Sequence, residues 1–370
     1  MDSITVFITG AGAPGTYGII KSLRMGAKQE GRKLRIVAAD MNAGSYGYHL
    51  ADKGYPIPRG DRPDFIPKLL EICREEKPAV LFSWVDPELL PLSKAKKEFE
   101  SIGTRVALSD PQAIETGQNK RKCYEIFRKD GIIPEFRIAR SSEEFGKAVR
   151  ELGFPKRPVC LKPSVSYGMR GFRILRPSAS RGEILFREKP DSAVADFEGI
   201  MGTLMEHEKK QGLPELLVME YLEGKEYTVD MLLERGRPIV TIPRVRAVTK
   251  QGISTVAVVE RNREIIEKAE LVAKRLGLDY NANVQFRYGS GKEVRGTSSS
   301  SGPKLIEVQP RLAGTTVACV GAGANLPYLA LKIALGEKIH VPKVKWGTVM
   351  KRFWEEIYTD GKDSWFLKME

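Results

Sequence analysis

Cysteine and histidine are scarce. Four cysteines (Cys73, Cys123, Cys160, Cys319) and three histidines (His49, His207, His340) occur in 370 residues. The cysteines lie far apart and form no CxxC pair, which fits reduced thiols and offers no metal-site spacing. No two histidines stand at ligand spacing, so a histidine-based zinc site or a Ser-His triad is not expected. No run approaches the ~18 uninterrupted apolar residues of a membrane helix. The N-terminus passes from Met1-Asp2-Ser3 straight into the strand-like Ile4–Thr9, with neither a basic nor a long apolar leader. A cytoplasmic protein with no membrane partner is expected. Internal repeats are also missing, and the only low-complexity patch is Ser298–Ser301.

Positive charge is plentiful. Lys plus Arg number 60 and Asp plus Glu 47, a formal balance of +13. The basic residues run from Lys21 to Lys368, mixed with acids, and no RNP-like, zinc-finger or helix-turn-helix signature accompanies them. Specific nucleic-acid binding is therefore not expected. A solvated basic surface or a site for a polyanionic small molecule is. Hydrophobic residues at 42% and charged residues at 29% are ordinary for a globular chain. At roughly 150 residues per domain the length suggests two or three lobes, each able to bury a core without a disulfide or zinc staple.

The first hundred residues alternate strand and helix: Ile4–Thr9, a helix from Thr16 to Lys28, Leu34–Ala39, a helix from Phe65 to Glu75, Ala79–Phe82, a helix from Pro87 to Phe99, and Arg105–Leu108. That rhythm predicts a parallel sheet with crossover helices. After Asp110 it changes. Helices are expected at 118–129, 142–152, 196–211, 264–276 and 326–335, and strands at 136–139, 159–163, 172–175, 216–221, 226–233, 238–242, 283–288 and 304–309.

Four constellations bear on chemistry. Gly10-Ala11-Gly12-Ala13-Pro14-Gly15 matches GxGxxG between a strand and a helix, with Asp40 ending the next strand where a ribose acid would sit. The alternative is that the glycines only close the turn. Lys162 lies in the apolar strand Val159–Pro163, where a lysine is costly without an anionic partner. The loop after it, Ser164 to Gly171, carries Ser166, Gly168 and Gly171 and can cradle phosphate oxygens on its amides. A plain hairpin is the alternative there. Leu216–Met219 delivers Glu220, whose backbone through Tyr221 to Leu222 suits a planar base, and Glu226 can accept from ribose hydroxyls. Lastly, Glu307 and Gln309 share one face of a strand, and Gln285 on a neighbouring strand can join them; such oxygen donors suit a hard cation bridging phosphates. Arg311 follows, placed to take a phosphate or carboxylate in bidentate fashion.

In this order the features resemble the ATP-grasp family, and within it one synthetase unit of the carbamoyl phosphate synthase large subunit. The likeness runs from about Ile4 to about Val341. It is carried by Asn119-Lys120, by Cys160-Leu161-Lys162-Pro163 with its loop, and by Met219 to Glu226. It is carried further by Ile242-Pro243-Arg244-Val245-Arg246, Asn283-Val284-Gln285-Phe286, Ile306 to Arg311, and Ala322 to Pro327. Two departures stand out: Gln309 where the family usually has Asn, and a lengthened turn at Gly289–Pro303.

The resemblance implies an α/β chain, with a Rossmann-like parallel-sheet domain followed by a two-lobed ATP-grasp α+β region. The expected division is 1–110 for the first domain, 111–190 for the small lobe with the phosphate loop, 191–345 for the large lobe with the metal site, and 346–370 for a tail. It implies an ADP-forming ligase that activates a carboxylate as an acyl phosphate for attack by an amine, with ATP and Mg²⁺ (or Mn²⁺). Lys120, Lys162, Ser166, Gly168, Gly171, Glu220, Tyr221, Leu222 and Glu226 would hold the nucleotide, and Gln285, Glu307 and Gln309 the metal. Arg311, Arg244 and Arg246 would stabilise the transferring phosphoryl group or the acceptor carboxylate. Acceptor specificity is expected from the first domain around Asp86-Pro87-Glu88 and from Arg244–Ser254, and a homo-oligomer is compatible with all of this. With one such unit in the chain, carbamoyl phosphate synthesis itself is not expected. The competing readings are an NAD(P)-dependent oxidoreductase using the N-terminal glycines and a non-catalytic ATP-binding protein.

Overall fold

The computed structural model describes residues 3–177, 181–188, 192–289, 302–361 and 363–367. Most of the turn at Gly289–Pro303, and with it the patch Ser298–Ser301, lies outside the described residues. The chain folds as two compact units. The first comprises Met1–Glu115, Tyr227–Val284 and Val308–Glu370; the second comprises Thr116–Glu226 and Gln285–Glu307.

The first unit begins with five parallel strands: β1 (Ile4–Thr9), β2 (Leu34–Asp40), β3 (Lys53–Pro56), β4 (Val80–Phe82) and β5 (Arg105–Val106), in spatial order β3-β2-β1-β4-β5. Helices α1 (Thr16–Gln29), α2 (Phe65–Glu76), α3 (Asp86–Lys94) and α4 (Lys96–Ser101) connect them. A parallel sheet covered on both faces needs apolar residues at consecutive positions. β1 supplies them: Val6 and Ile8 face one core, Phe7 the other. The segment 87–99, expected as one helix, is two, and Pro91 inside the first removes a backbone donor.

The second unit is built on the sheet β6-β10-β7-β8-β9, from β6 (Phe136–Ala139), β7 (Val159–Pro163), β8 (Arg173–Leu175), β9 (Val194–Ala195) and β10 (Leu216–Glu220). Its helices are α5 (Pro111–Gln118, which begins in the first unit), α6 (Lys120–Ile126), α7 (Ser142–Glu151), α8 (Arg181–Arg187) and α9 (Phe197–Gln211). The expected helix from 118 onward instead restarts at Asn119, whose side chain caps α6 by accepting from the Lys122 amide. Alternation decides what each face of this sheet presents. Val159 and Leu161 of β7, with Leu216 and Val218 of β10, bury against Phe145, Val149 and Leu152. Cys160 and Lys162 therefore point to the opposite face, where Lys162 stands across from Leu217 and Cys160 from Met219.

A six-stranded sheet follows: β11 (Glu226–Glu234), β12 (Arg237–Lys250), β13 (Ile253–Val259), β14 (Tyr280–Arg287), β15 (Lys304–Gln309) and β16 (Val349–Lys351), ordered β15-β14-β11-β12-β13-β16. The helices α10 (Arg263–Leu276), α11 (Val317–Gly321) and α12 (Leu326–Ala334) accompany it, and a small hairpin of β17 (Tyr358–Thr359) and β18 (Ser364–Trp365) closes the chain. β12 is far longer than the expected 238–242, and its partner β13 was not expected. Arg244 and Arg246 interrupt the apolar alternation there, and an ion pair that sequence does not display keeps Arg244 in the strand.

Candidate nucleotide site

Within the second unit two lysines converge on one strand. Lys162, on the face of β7 away from its core, is 6% exposed. Its ammonium donates to the Ile306 carbonyl (3.0 Å) and lies 5.8 Å from the centroid of the Tyr124 ring. The Tyr124 hydroxyl donates to the same carbonyl (2.9 Å). Lys120, the first residue of α6 and 5% exposed, donates to the Ser166 carbonyl (3.0 Å) and pairs with Glu307 (3.0 Å). Burial, reinforced by the charge of Lys120, pushes the Lys162 pKa down to about 8, against the opposing pull of Glu307. Among the described residues, two desolvated ammonium groups face one carboxylate, that of Glu307. An arrangement with surplus positive charge, walled by protein, suits a polyanion such as a triphosphate.

Of the residues expected to form a phosphate loop, Ser166 touches this pair. Ser166 contributes its carbonyl, and its hydroxyl turns back to the Pro163 carbonyl (3.4 Å). Gly168 and Gly171 are exposed and take positive φ. At Gly171 a side chain is barred twice, since a Cβ would also meet the Pro163 ring at 2.7 Å.

The segment expected to bind a base is partly committed to the protein itself. The Glu220 amide donates to the Glu135 carbonyl (3.0 Å) and the Tyr221 amide to Pro158 (3.3 Å). The Glu220 carboxylate accepts from the Glu135 amide (2.9 Å). The Glu220 carbonyl is met by the Cys160 thiol at 3.8 Å, and Leu222 is buried. Glu226 lies 3.7 Å from Arg287, whose guanidinium also donates to the Gly224 carbonyl (3.1 Å) and sits over the Tyr221 ring. Sequence reasoning missed Arg287 and Tyr124. Each had a signal: Arg287 is two residues beyond Gln285 on one strand, and Tyr124 is one helical turn beyond Lys120.

Among the described residues no group of three His, Cys, Asp or Glu side chains stands together for a metal. The donors present are one carboxylate, Glu307, with the Gln285 amide on the adjacent strand β14. That set fits a magnesium ion, which takes one or two protein oxygens and fills its shell with phosphate and water. Gln309, two residues beyond Glu307 on β15, has its side-chain oxygen 3.4 Å from the Asn283 amide.

The three arginines are in the first unit, each already engaged. Arg311 makes a two-pronged pair with Asp86 (2.9 and 2.7 Å). Arg244, 1% exposed, donates through Nε to Asp230 (2.5 Å). Arg246 donates to the Gly252 carbonyl (2.5 Å). The glycine loop is engaged as well. The Gly12 amide donates to Asp40 (2.6 Å), which also accepts from the Asn42 amide (2.9 Å). Gly15, at φ 101°, lies so close to Gly314 that a Cβ would meet its carbonyl oxygen at 2.4 Å. The acid that a ribose would require is taken up by the loop's own backbone, and packing within the unit accounts for the glycines.

Two family models match the chain. Residues 212–354 match "ATP-grasp in the biosynthetic pathway with Ter operon", and residues 13–107 match "PylC-like, N-terminal domain". Neither is an oxidoreductase model, so the dinucleotide reading of Gly10–Gly15 gains no support. Carbamoyl phosphate synthase large chain from Gemmatimonas aurantiaca is 24% identical over 353 residues, 89% of this chain and 28% of that one. The chain thus spans under a third of that relative's length. Among solved structures, the biotin carboxylase domain of Hydrogenobacter thermophilus 2-oxoglutarate carboxylase aligns with a TM-score of 0.63 at 17% identity, covering 93% of this chain and 72% of that one. The ADP complex of an N5-carboxyaminoimidazole ribonucleotide synthetase aligns with a TM-score of 0.62 at 15% identity, covering 93% and 79%. Among the described residues no helix is long and apolar enough to cross a membrane. Residues 212–354 thus match an ATP-grasp family model, and over most of its length the chain is similar to part of the carbamoyl phosphate synthase large chain.

Proposed function

We propose that the protein is an ADP-forming ligase that uses ATP to activate a carboxylate as an acyl phosphate for attack by an amine. The observation that carries this reading is the convergence of two buried lysines, Lys120 and Lys162, on Glu307 and the Ile306 carbonyl. Moving a phosphoryl group between anionic oxygens asks the protein to position and neutralise charge rather than to supply a nucleophile. Lys162 and Lys120 hold the transferring phosphates. The loop through Gly168 and Gly171 covers them and excludes water, which would otherwise hydrolyse the acyl phosphate. The Glu220 carbonyl and Leu222 amide orient the base, and Glu226 the ribose. Glu307 and Gln285 would hold magnesium, which when bound neutralises phosphate oxygens. The cysteines agree with a mechanism free of covalent catalysis: burial pushes the Cys123 and Cys160 thiols up to about 12, so neither offers a thiolate.

The test is an ADP-release screen over pairs of carboxylates and amines, run with the wild type and Lys162→Ala. Release requiring both substrates, and about two to three orders of magnitude slower in the variant, is expected. Tight MgATP binding with no ADP release from any pair would make the protein a non-catalytic binder. Near-normal turnover by the variant would remove Lys162 from the chemistry.

A further inference from the structure

The six-stranded sheet of the first unit ends on an open edge. β16 is the last strand of its order, and among the described residues no strand lies beyond it. In an antiparallel ladder alternate residues turn both backbone groups toward the neighbouring strand, and the residues between them turn both away. Two bonds fix which residues do which. The Arg352 amide donates to the Thr255 carbonyl (2.8 Å), and the Thr348 carbonyl accepts from the Val259 amide (2.9 Å). With Met350 opposite Ala257 between them, Thr348, Met350 and Arg352 face β13. Val349 and Lys351 therefore aim their N–H and C=O groups out of the edge of the sheet.

The side chains along this edge are largely apolar. Met350 packs into the core, so Val349, Lys351 and the following Phe353 take the opposite face. Val349 is half-exposed, and Val258 and Val256, its neighbours on β13, are half-buried. Phe353 and Trp354 are 77% and 80% exposed. Neither a proline nor a bulge interrupts Val349–Lys351. Folded sheets usually blunt such an edge, because it templates pairing with another chain.

A second copy of this chain meets each of these features. A two-fold axis through Met350 sets Val349 of one copy opposite Lys351 of the other, so the outward amides and carbonyls of both residues are paired. An axis through Lys351 would oppose the two lysines, and one through Val349 would leave Lys351 against the turn at Gly347. With the axis at Met350 the flanking residues are complementary too. Trp354 comes to Trp346 of the other copy, and the exposed Glu355 comes to the exposed Lys345. An aromatic side chain offers about 150–250 Å², so Phe353, Trp354, the part-exposed Trp346 and Val349 supply on the order of 1,000 Å² over two copies. That reaches the size at which a specific interface begins.

We propose that the protein forms a two-fold dimer through antiparallel pairing of β16 with its own copy, with Phe353 and Trp354 buried at the junction. The pairing is independent of the ligase reading.

The test is sedimentation velocity of the full chain across a wide range of concentration. The wild type should pass from one-copy to two-copy mass, and its melting temperature should rise with concentration. Lys351→Pro removes an amide that the chain itself does not use, and should weaken the dimer tenfold or more. A pair of substitutions at a half-exposed position guards against misfolding. Val349→Lys sets lysine opposite Lys351 and should also weaken the dimer tenfold or more, whereas Val349→Glu sets a carboxylate there and should retain it. A wild type of one-copy mass at every concentration would overturn the proposal and give the edge to a different chain. A dimer that Lys351→Pro leaves intact, or that Val349→Lys and Val349→Glu affect alike, would overturn it as well.

Discussion

Lys162 shows how one residue sets a measurable pH dependence. Its folded pKa of about 8 lies below the ordinary lysine value, because burial and Lys120 disfavour the charged form. Between pH 8 and the ordinary value the unfolded chain binds more protons than the folded one. The stability penalty of this lysine is therefore fully present below about pH 8 and is relieved as pH rises through that window. Nucleotide binding follows the opposite slope. A triphosphate favours the charged ammonium, so MgATP affinity should be highest below pH 8 and fall above it, by up to about tenfold per pH unit. Calorimetry from pH 7 to 9.5 reads this directly; Lys162→Ala should lose the slope, and a flat wild-type profile would contradict the assignment. Glu88 offers the complementary case. It is buried at the carboxyl ends of β1 and β4, where one carboxylate oxygen accepts from both Thr9 (2.5 Å) and Ser83 (2.7 Å). Burial raises its pKa to about 7. The folded state then binds more protons than the unfolded one between the ordinary carboxylate value and about 7, so stability is lost as pH rises through that range. The loss is on the order of 3 kcal/mol at most. Glu88→Gln should flatten that slope in denaturation midpoints compared at pH 5 and pH 8, and an unchanged slope would place the titration elsewhere.

Elements were legible in sequence where one physical signal dominated. β1, β6, β7 and β15 follow from short apolar runs between turn residues, and α10 from its apolar period with Gly277 at its end. Lys162 was legible for the same reason, as a charge in an otherwise apolar strand. What sequence could not show was long-range compensation. β12 stays a strand through Arg244 because Asp230, fourteen positions earlier, answers its charge. The GxGxxG turn was legible as a turn but not by purpose, because its neighbour Gly314 lies some 300 residues away in the chain. A prediction separates the two purposes. Gly15→Ala puts a Cβ against the Gly314 carbonyl at a positive φ, so it should lower the melting temperature, costing roughly 1–3 kcal/mol. If the glycines serve packing, MgATP affinity should be unchanged and NADH should bind neither form. Saturable NADH binding to the wild type that the substitution abolishes would restore the dinucleotide reading.

At the scale of the whole molecule, chain order and spatial grouping part company. Tyr227–Val284 joins the N-terminal residues in one unit, while Gln285–Glu307 joins Thr116–Glu226 in the other. A reading along the chain divides it into successive blocks, because the strand pairings that return a segment to an earlier sheet leave no local mark. Yet the residues proposed to hold phosphates, base, ribose and metal, from Lys120 through Glu226 to Gln285 and Glu307, all fall within the second unit. Hydrogen exchange can test whether that grouping is functional. MgATP should slow amide exchange around 120–126, 159–175, 220–226 and 304–307, where opening of α6, β7, the hinge and β15 must compete with the bound nucleotide. The amides of Gly10–Gly15 should be unaffected. Chelation of the metal, or Glu307→Ala, should remove the magnesium dependence of that protection while leaving a weaker, metal-independent footprint from Lys120 and Lys162. A footprint centred on the glycine loop, or protection by Glu307→Ala with an unaltered magnesium titration, would show that the lysine pair is not where the nucleotide binds.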